Sequence, residues 1–367
     1  MNVKSDYLNS LLVLSLCAVG GFILASTGLS IGWMLGSLFA SVGLTYINPK
    51  ALTLSMEGRE FWLRAGQLLL GMHLGLQLNL SVFHVLKENS LIIIIVLALS
   101  MIYSIGSGIL LYKTCNLDIL TGLYSSAPGG ISAMPGMAKD AGANVGVVTV
   151  LQTSRVLLVV VLVPLFILGS SHSGIGEATQ NVPGIHSSVS GLGILWTFLF
   201  IGAAWCGAKL GKKVKLPTPW LLGGLLTVAS IQASSYLFTA QPITVWWPDS
   251  VMVLSQIMIG TSVGSMITKG MFSGIRKIML VSLLSTVGFI LAMMVCAWII
   301  SKMSGMSYIT TALALAPGGV AEMTAASVIL NADPMFVVAV QILRVVMMPP
   351  LFHLVHNRAL REKNSHA

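Results

Sequence analysis

Two arginines lie where an arginine is costly. Arg155 sits near the middle of an apolar run, 143–168, and Arg344 occupies a second such run, 335–356. At 1.5 Å per helical residue, Arg155 is roughly 18 Å from either end, too deep for its head group to reach an interface. It must face protein, water or a partner. Gln152 and Gln341 each precede an arginine by three residues, which puts the pair on one helix face. Upstream of each pair an apolar run is interrupted, at Ser126-Ala127-Pro128-Gly129-Gly130 and at Ala316-Pro317-Gly318-Gly319. Proline and paired glycines break a helix, and irregular backbone at membrane depth survives only where protein or a water-filled cavity covers it. A guanidinium fork grips carboxylate or phosphate, and the free N–H groups of a half-helix add partial positive charge. The candidate substrate-binding set is therefore Arg155, Arg344, Gln152, Gln341, Pro128, Gly129, Gly130, Pro317, Gly318 and Gly319. A second reading stands beside it: each arginine caps the carbonyl end of a broken helix.

Two further groups could carry a coupling ion. Glu322 is the one acidic residue well inside a predicted membrane segment, and the matching position of the other break is Ala133. A buried carboxylate suits a proton or sodium carrier; it also suits a structural pair with Arg344. His73, in Gly71-Met72-His73-Leu74-Gly75, either titrates or packs through hydrogen bonds. No metal or cofactor is expected. His353 and His356 are two ligands, short of a site, and Cys17, Cys115, Cys206 and Cys296 are isolated in or beside apolar runs.

The elements that must position these residues are membrane helices. Of 367 residues, 55% are hydrophobic and 8% charged, against about 25% charged in a soluble domain. The net charge of +9 is scattered between apolar runs, which excludes a nucleic-acid patch. Runs near the ~20 residues needed to span a bilayer lie at 7–26, 30–47, 62–80, 89–112, 119–138 and 143–168, then at 189–209, 218–238, 250–268, 277–301, 309–330 and 335–356. The run after Lys4 passes straight into the next, so it is read as the first membrane helix rather than a signal peptide.

The two sets of six repeat. Gln67, Gly71 and Gly75 match Gln256, Gly260 and Gly264; Ala127–Gly130 match Ala316–Gly319; Gln152, Arg155 and Val156 match Gln341, Arg344 and Val345. All these pairs share one offset, with no gap between the first and the last. Trp33 and Gly36 match Trp220 and Gly223 at a slightly shorter offset, so one small gap lies upstream. The spaced glycines 71/75 and 260/264 are expected to let helices approach closely, and Trp246-Trp247-Pro248 to mark the outer interface.

Basic residues favour the cytoplasmic side. Lys209–Lys215, the group Lys269, Arg276 and Lys277, and the tail with Arg358, Arg361 and Lys363 fall on one side only if a segment of the second half turns back. The segment with Pro317-Gly318-Gly319 is the candidate to do so; if it crosses fully, another segment must be non-crossing. The first half gives the mirror answer, with Lys4, Lys50, Arg59, Arg64, Lys113 and Lys139 inside; Lys87 and Lys302 fall on the wrong side. Five crossings plus one re-entrant element per half make the repeats inverted.

The Pro-Gly-Gly breaks, each followed by Gln-x-x-Arg-Val, resemble the AbrB family of bacterial membrane proteins with a duplicated domain, over residues from about 10 to 356. This family is distinct from the soluble DNA-binding regulator of the same name. It carries labels of ammonia monooxygenase and of regulator of gene expression, and it is similar in plan to the cation/proton antiporter and anion transporter superfamily. Seven scattered His residues and one intramembrane Glu do not supply the ligands of a monooxygenase metal.

The sequence thus predicts an all-α membrane protein of two inverted repeats, each of about five transmembrane helices plus one broken helix. The first repeat is 1–168, an extracytoplasmic linker 169–188, the second repeat 189–358, and a cytoplasmic tail 359–367. It is expected to be a multi-pass protein of the bacterial inner membrane with both termini cytoplasmic. The expected function is secondary transport of a small anionic solute, with H+ or Na+ as a coupling ion; it is not expected to be an enzyme. A membrane sensor that affects gene expression indirectly is the alternative, and a monooxygenase ranks last. The expected partners are the lipid bilayer and the solute, without nucleic acid; a homodimer is compatible.

Overall fold

The computed structural model describes residues 3–29, 31–47, 54–77, 88, 90–127, 134–170, 185–186, 191–214, 216, 218–239, 243–267 and 276–347. The described residues are helical almost throughout. In order come α1 (Val3–Ala25), α2 (Gly32–Ile47), α3 (Met56–Gln77), α4 (Ser90–Cys115), α5 (Ile119–Ser126), α6 (Met134–Asp140), α7 (Val145–Ser170), α8 (Gly191–Lys213), α9 (Pro219–Thr239), α10 (Asp249–Gly264), α11 (Arg276–Ser304), α12 (Tyr308–Leu315), α13 (Val320–Ile329) and α14 (Pro334–Met347). The strands β1 (Ile185–His186) and β2 (Val245–Trp246) form one short parallel pair. Among the described residues, four helices are long and apolar enough to cross a membrane: Ser90–Cys115, Val145–Ile167, Gly191–Lys213 and Lys277–Ser304. The runs 119–138 and 309–330 are not continuous helices. α5 stops at Ser126 and α12 at Leu315, where the Pro-Gly-Gly segments begin.

The turns around the broken elements match across the two halves more closely than the residue identities do. Asp118 caps α5 by accepting from the Thr121 N–H (2.8 Å), and Ser307 caps α12 by accepting from the Thr310 N–H (3.2 Å). Either side chain supplies the oxygen that an N-cap needs. Asn144 and Asp333 do the same for α7 and α14. Left-handed backbone occurs at Asn116 (φ 54°) and Gly305 (φ 72°), and again at Gly142 (φ 76°) and Asn331 (φ 52°). Glycine and asparagine are the residues that tolerate this region. Every one of these pairs has the same sequence offset as the two Gln-x-x-Arg motifs.

The chain folds into two compact units, and each draws on both halves. The first comprises 1–84, 171–269 and 328–335, and so holds α1–α3 and α8–α10. Its helices meet at glycines, as the spacing predicts. A Cβ at Gly71 would run into the Leu221 carbonyl oxygen of α9, and one at Gly260 into the Met34 carbonyl oxygen of α2. These are the same contact made twice: α3 of the first half lies on α9 of the second, and α10 of the second on α2 of the first. The core of this unit includes Met72, Leu76, Phe200, Ala204, Val228, Val245 and Trp247.

The second unit comprises 85–170, 270–327 and 336–367, and so holds α4–α7, α11, α12, most of α13 and α14. Here α4 packs on α11, its counterpart in the other half. Tyr103 stacks on Phe289, with ring centroids 4.3 Å apart and planes 13° from parallel, and Ser107 Oγ lies 2.6 Å from Ser285 Oγ. Positions rise along one helix as they fall along the other, so the two run antiparallel. Beside them Leu123, Tyr124, Ala127, Met134, Ala138, Ala143 and Val148 form a core around α5, α6 and the start of α7.

The predicted repeats are units of sequence, and these compact units cut across them. Most of 169–188 and all of 359–367 lie outside the described residues.

Candidate functional site

α5 and α12 each end on carbonyl oxygens that no further turn of helix can use. In both halves the same two side chains take them. Gln152 donates through Nε2 to Tyr124 O (2.6 Å) and Ala127 O (2.8 Å). Arg155 donates through Nη1 to Ser126 O (2.6 Å) and through Nη2 to Ala127 O (2.6 Å). A bond from Arg155 Nη2 to Gln152 Oε1 (2.6 Å) closes the clamp. In the second half, Gln341 Nε2 donates to Leu313 O (3.0 Å) and Ala316 O (3.1 Å), and Arg344 Nη1 to Leu315 O (3.2 Å) and Ala316 O (3.0 Å). Arg344 Nη2 completes it on Gln341 Oε1. The two clamps are one arrangement, built once in each repeat from matching positions.

The clamps are buried: Gln152 and Gln341 are 0% exposed, Arg155 3% and Arg344 1%. A guanidinium against helix C-terminal carbonyls faces the negative pole of that helix and makes charge-assisted hydrogen bonds. That is the capping role, one of the two readings of these arginines open at the sequence level. The forks of both arginines are committed to backbone. Each guanidinium uses three of its four Nη–H groups in these bonds, while its Nε, in Arg155 and in Arg344 alike, is buried and has no hydrogen-bond partner at all. α7, which carries Arg155, also packs against α12, the helix that Arg344 caps.

Glu322 lies in the first turn of α13 and is 7% exposed. Its carboxylate folds back over Gly319, in the space that a Cβ at 319 would occupy. There it faces the positive pole of its own helix. Glu322 forms no ion pair with Arg344 or Arg155; among the described residues the one salt bridge within 4.0 Å is Arg64–Glu60. Ala316 ends α12 at φ −53° and ψ 133°, outside the helical region, and Pro317, Gly318 and Gly319 are buried between α12 and α13. Pro128, Gly129 and Gly130 lie outside the described residues.

His73 belongs to the other unit, on α3. Trp247 Nε1 donates to its Nδ1 (3.1 Å), and Gln77 Nε2 lies 2.9 Å from its Nε2. An indole N–H only donates, so Nδ1 accepts and Nε2 bears the proton, which the amide accepts with its nitrogen and oxygen exchanged. Both ring nitrogens are satisfied within the unit. Trp247, read from sequence as an interface anchor, is itself 4% exposed and packed in this core.

The second unit thus gathers Gln152, Arg155, Gln341, Arg344, Pro317, Gly318, Gly319 and Glu322, while His73 stands apart in the first. Spacing did not single out Ser125, one residue before the end of α5, whose buried Oγ has no partner. A serine beside a predicted break was the available signal.

Comparison with known proteins covers the same span. A family model described as "Transition state regulatory protein AbrB" matches residues 33–356. The chain is 38% identical over 367 residues to "Uncharacterized protein YhjN" of Bacillus subtilis (strain 168), covering 97% of this chain and 96% of that one. It is 27% identical over 337 residues to "Putative regulator AbrB" of Escherichia coli (strain K12), covering 91% of each.

Proposed function

The chain belongs to the AbrB family, and from that premise and the paired clamps we propose that it is a secondary transporter of a small anionic solute that works by alternating access. The observation that carries the reading is the division of the chain. One unit holds both broken helices, both Gln–Arg clamps and the buried Glu322; the other is built from three helices of each half. Paired breaks at matching positions of two repeats mark the binding sites of many transporters, and one bundle rocking against a scaffold is how such folds expose a site alternately to either side. In this reading the unit with the clamps carries the solute near the bilayer midplane.

Inverted repeats fit the same proposal. α4 and α11 are repeat counterparts, and they pack antiparallel at Tyr103–Phe289 and Ser107–Ser285. With the broken elements re-entrant, the basic clusters face the cytoplasm and both termini lie there, as in a multi-pass inner-membrane protein. Glu322 is the residue of the second unit suited to carry a coupling proton or Na+; His73, already bonded at both nitrogens, is less suited. No catalytic step and no cofactor enter.

Uptake by proteoliposomes tests the proposal. Vesicles preloaded with a candidate carboxylate should show counterflow of the labelled solute, and vesicles without protein should not. Saturable binding with no counterflow across a metabolite screen overturns transport. That outcome favours the second reading, a membrane sensor, which the printed name of the Escherichia coli relative supports.

A further inference from the structure

We infer that the orphaned Nε–H groups of Arg155 and Arg344 are the donors of one carboxylate-binding site, a single N–H from each half of the chain, inside the unit that holds both broken helices. The inference takes its ligand charge from the anionic-solute reading and rests on it to that extent. It differs in what does the binding. A guanidinium fork that meets an anion end-on uses Nη1 and Nη2. Here Nη1 and Nη2 of both arginines are bonded to Ser126, Ala127, Leu315, Ala316 and the two glutamines. Their withdrawal would uncap two helices, so the fork is not free to turn to a solute.

Nε–H is different. In both arginines Nε is the buried nitrogen that makes no hydrogen bond, and the residues are 3% and 1% exposed. Leaving a buried donor unsatisfied costs about 1–3 kcal/mol, and more on a charged group. A single orphan would be unremarkable in a chain of this length. The same orphan atom at matching positions of the two repeats, in one unit where α7 packs against α12, is a repeated device.

Charge narrows the ligand. Two guanidinium groups face two helix C-termini, each worth about half a negative charge. About one positive charge is left over, and Glu322 does not answer it, because it pairs with neither arginine. One monoanion restores neutrality. The donors sit on two different side chains, so an anion with two oxygens can bridge them, one oxygen to each. A carboxylate has that form. A halide offers a single point, and phosphate brings more charge than the one unit left over.

The test reads the Nε–H groups directly, in the full chain in detergent, with 15N-labelled arginine. The chain has seven arginines. Two Nε–H signals should be protected from exchange with water; R155K should remove one of them and R344K the other. Titrating acetate should shift both protected signals with a common half-point, and chloride or inorganic phosphate should shift them at least tenfold less readily. The wild-type titration stands even if a lysine variant fails to fold, because the number of protected signals that move together is read without it. A shift of one signal alone overturns the bridge. Equal or better response to chloride or phosphate overturns the carboxylate class. Two signals that no anion moves leave hydration as the role of these groups and overturn the site. None of these readouts needs net flux: a bound carboxylate without counterflow sinks transport and leaves the site standing, whereas counterflow with unmoved signals does the reverse.

Discussion

Ser255 Oγ donates to the carbonyl oxygen of Gly66 at 2.8 Å, and the two residues are repeat counterparts, 189 apart. α3 and α10 therefore cross at matching points of the two halves. Ser255 is 0% exposed. Ser255→Ala leaves the Gly66 carbonyl buried without this donor, and thermal melting in detergent should show a loss of about 1–3 kcal/mol.

Gly71 and Gly260 make the same contact on carbonyls of α9 and α2. Gly71→Ala and Gly260→Ala should each destabilise by roughly 1–3 kcal/mol, because backbone must shift to admit the methyl group. Melting temperatures should fall by similar amounts. A drop in one variant and none in the other would contradict the equivalence of the two interfaces.

Removal of a clamp should be felt locally. Gln152→Leu takes the donor from Tyr124 O and Ala127 O and the acceptor from Arg155; Gln341→Leu does the same around Arg344. At about 1–3 kcal/mol for each buried group left unpaired, either change should cost several kcal/mol. Amide exchange should quicken first at the C-terminal turn of α5 or of α12 respectively. Uniform loosening of the whole chain would argue against a local cap.

Gly319→Ala places a methyl group where the Glu322 carboxylate lies. The carboxylate must leave the N-terminus of α13, so the variant should lose stability, while Gly319→Ala in a Glu322→Ala background should lose much less. A double-mutant cycle should give a coupling of about 0.5–3 kcal/mol, the range for residues in contact. Additive effects would mean that Glu322 does not depend on the space above Gly319.

The α4–α11 contact offers a check on the packing of the second unit. Ser107→Ala and Ser285→Ala each remove one partner of a part-buried bond. Each alone should cost about 1 kcal/mol, and together less than the two added, since the second change removes a group already left without its partner. Near-additive losses would place the stability of this contact elsewhere.

Much of this was legible in the sequence, for identifiable reasons. Many helix ends fell within about four residues of expectation, because long apolar runs bounded by charges and turns leave little choice; α3 starts six residues before the run 62–80, and the expected end at 356 lies outside the described residues. α7 spans Val145–Ser170 where 143–168 was predicted. The break at Pro317 was legible because proline has no N–H to give. The matched turns at Asn116 and Gly305, and at Gly142 and Asn331, were not found by matching letters, since the backbone selects a conformation and two residue types meet it. The fate of Arg155 was legible only as an alternative. Spacing put Arg155 and Gln152 on one face, but which oxygens they meet depends on where α5 stops, and that is fixed by packing. The regrouping into units that ignore the halves had no local signal at all. It is set by contacts such as Gly71 with Leu221, far apart in sequence.

That regrouping has a consequence for biogenesis. The Gln152–Arg155 clamp draws only on neighbours close in sequence, so it can close while the rest of the chain is still being synthesised. The first unit waits for α8–α10, and the second for α14, which brings Arg344 to α12. For much of translation the early helices have their glycine faces and polar groups uncovered. A ribosome stalled after α10 would leave the first unit largely assembled and the second half-built, a species that membrane quality control should recognise by its unpaired α4.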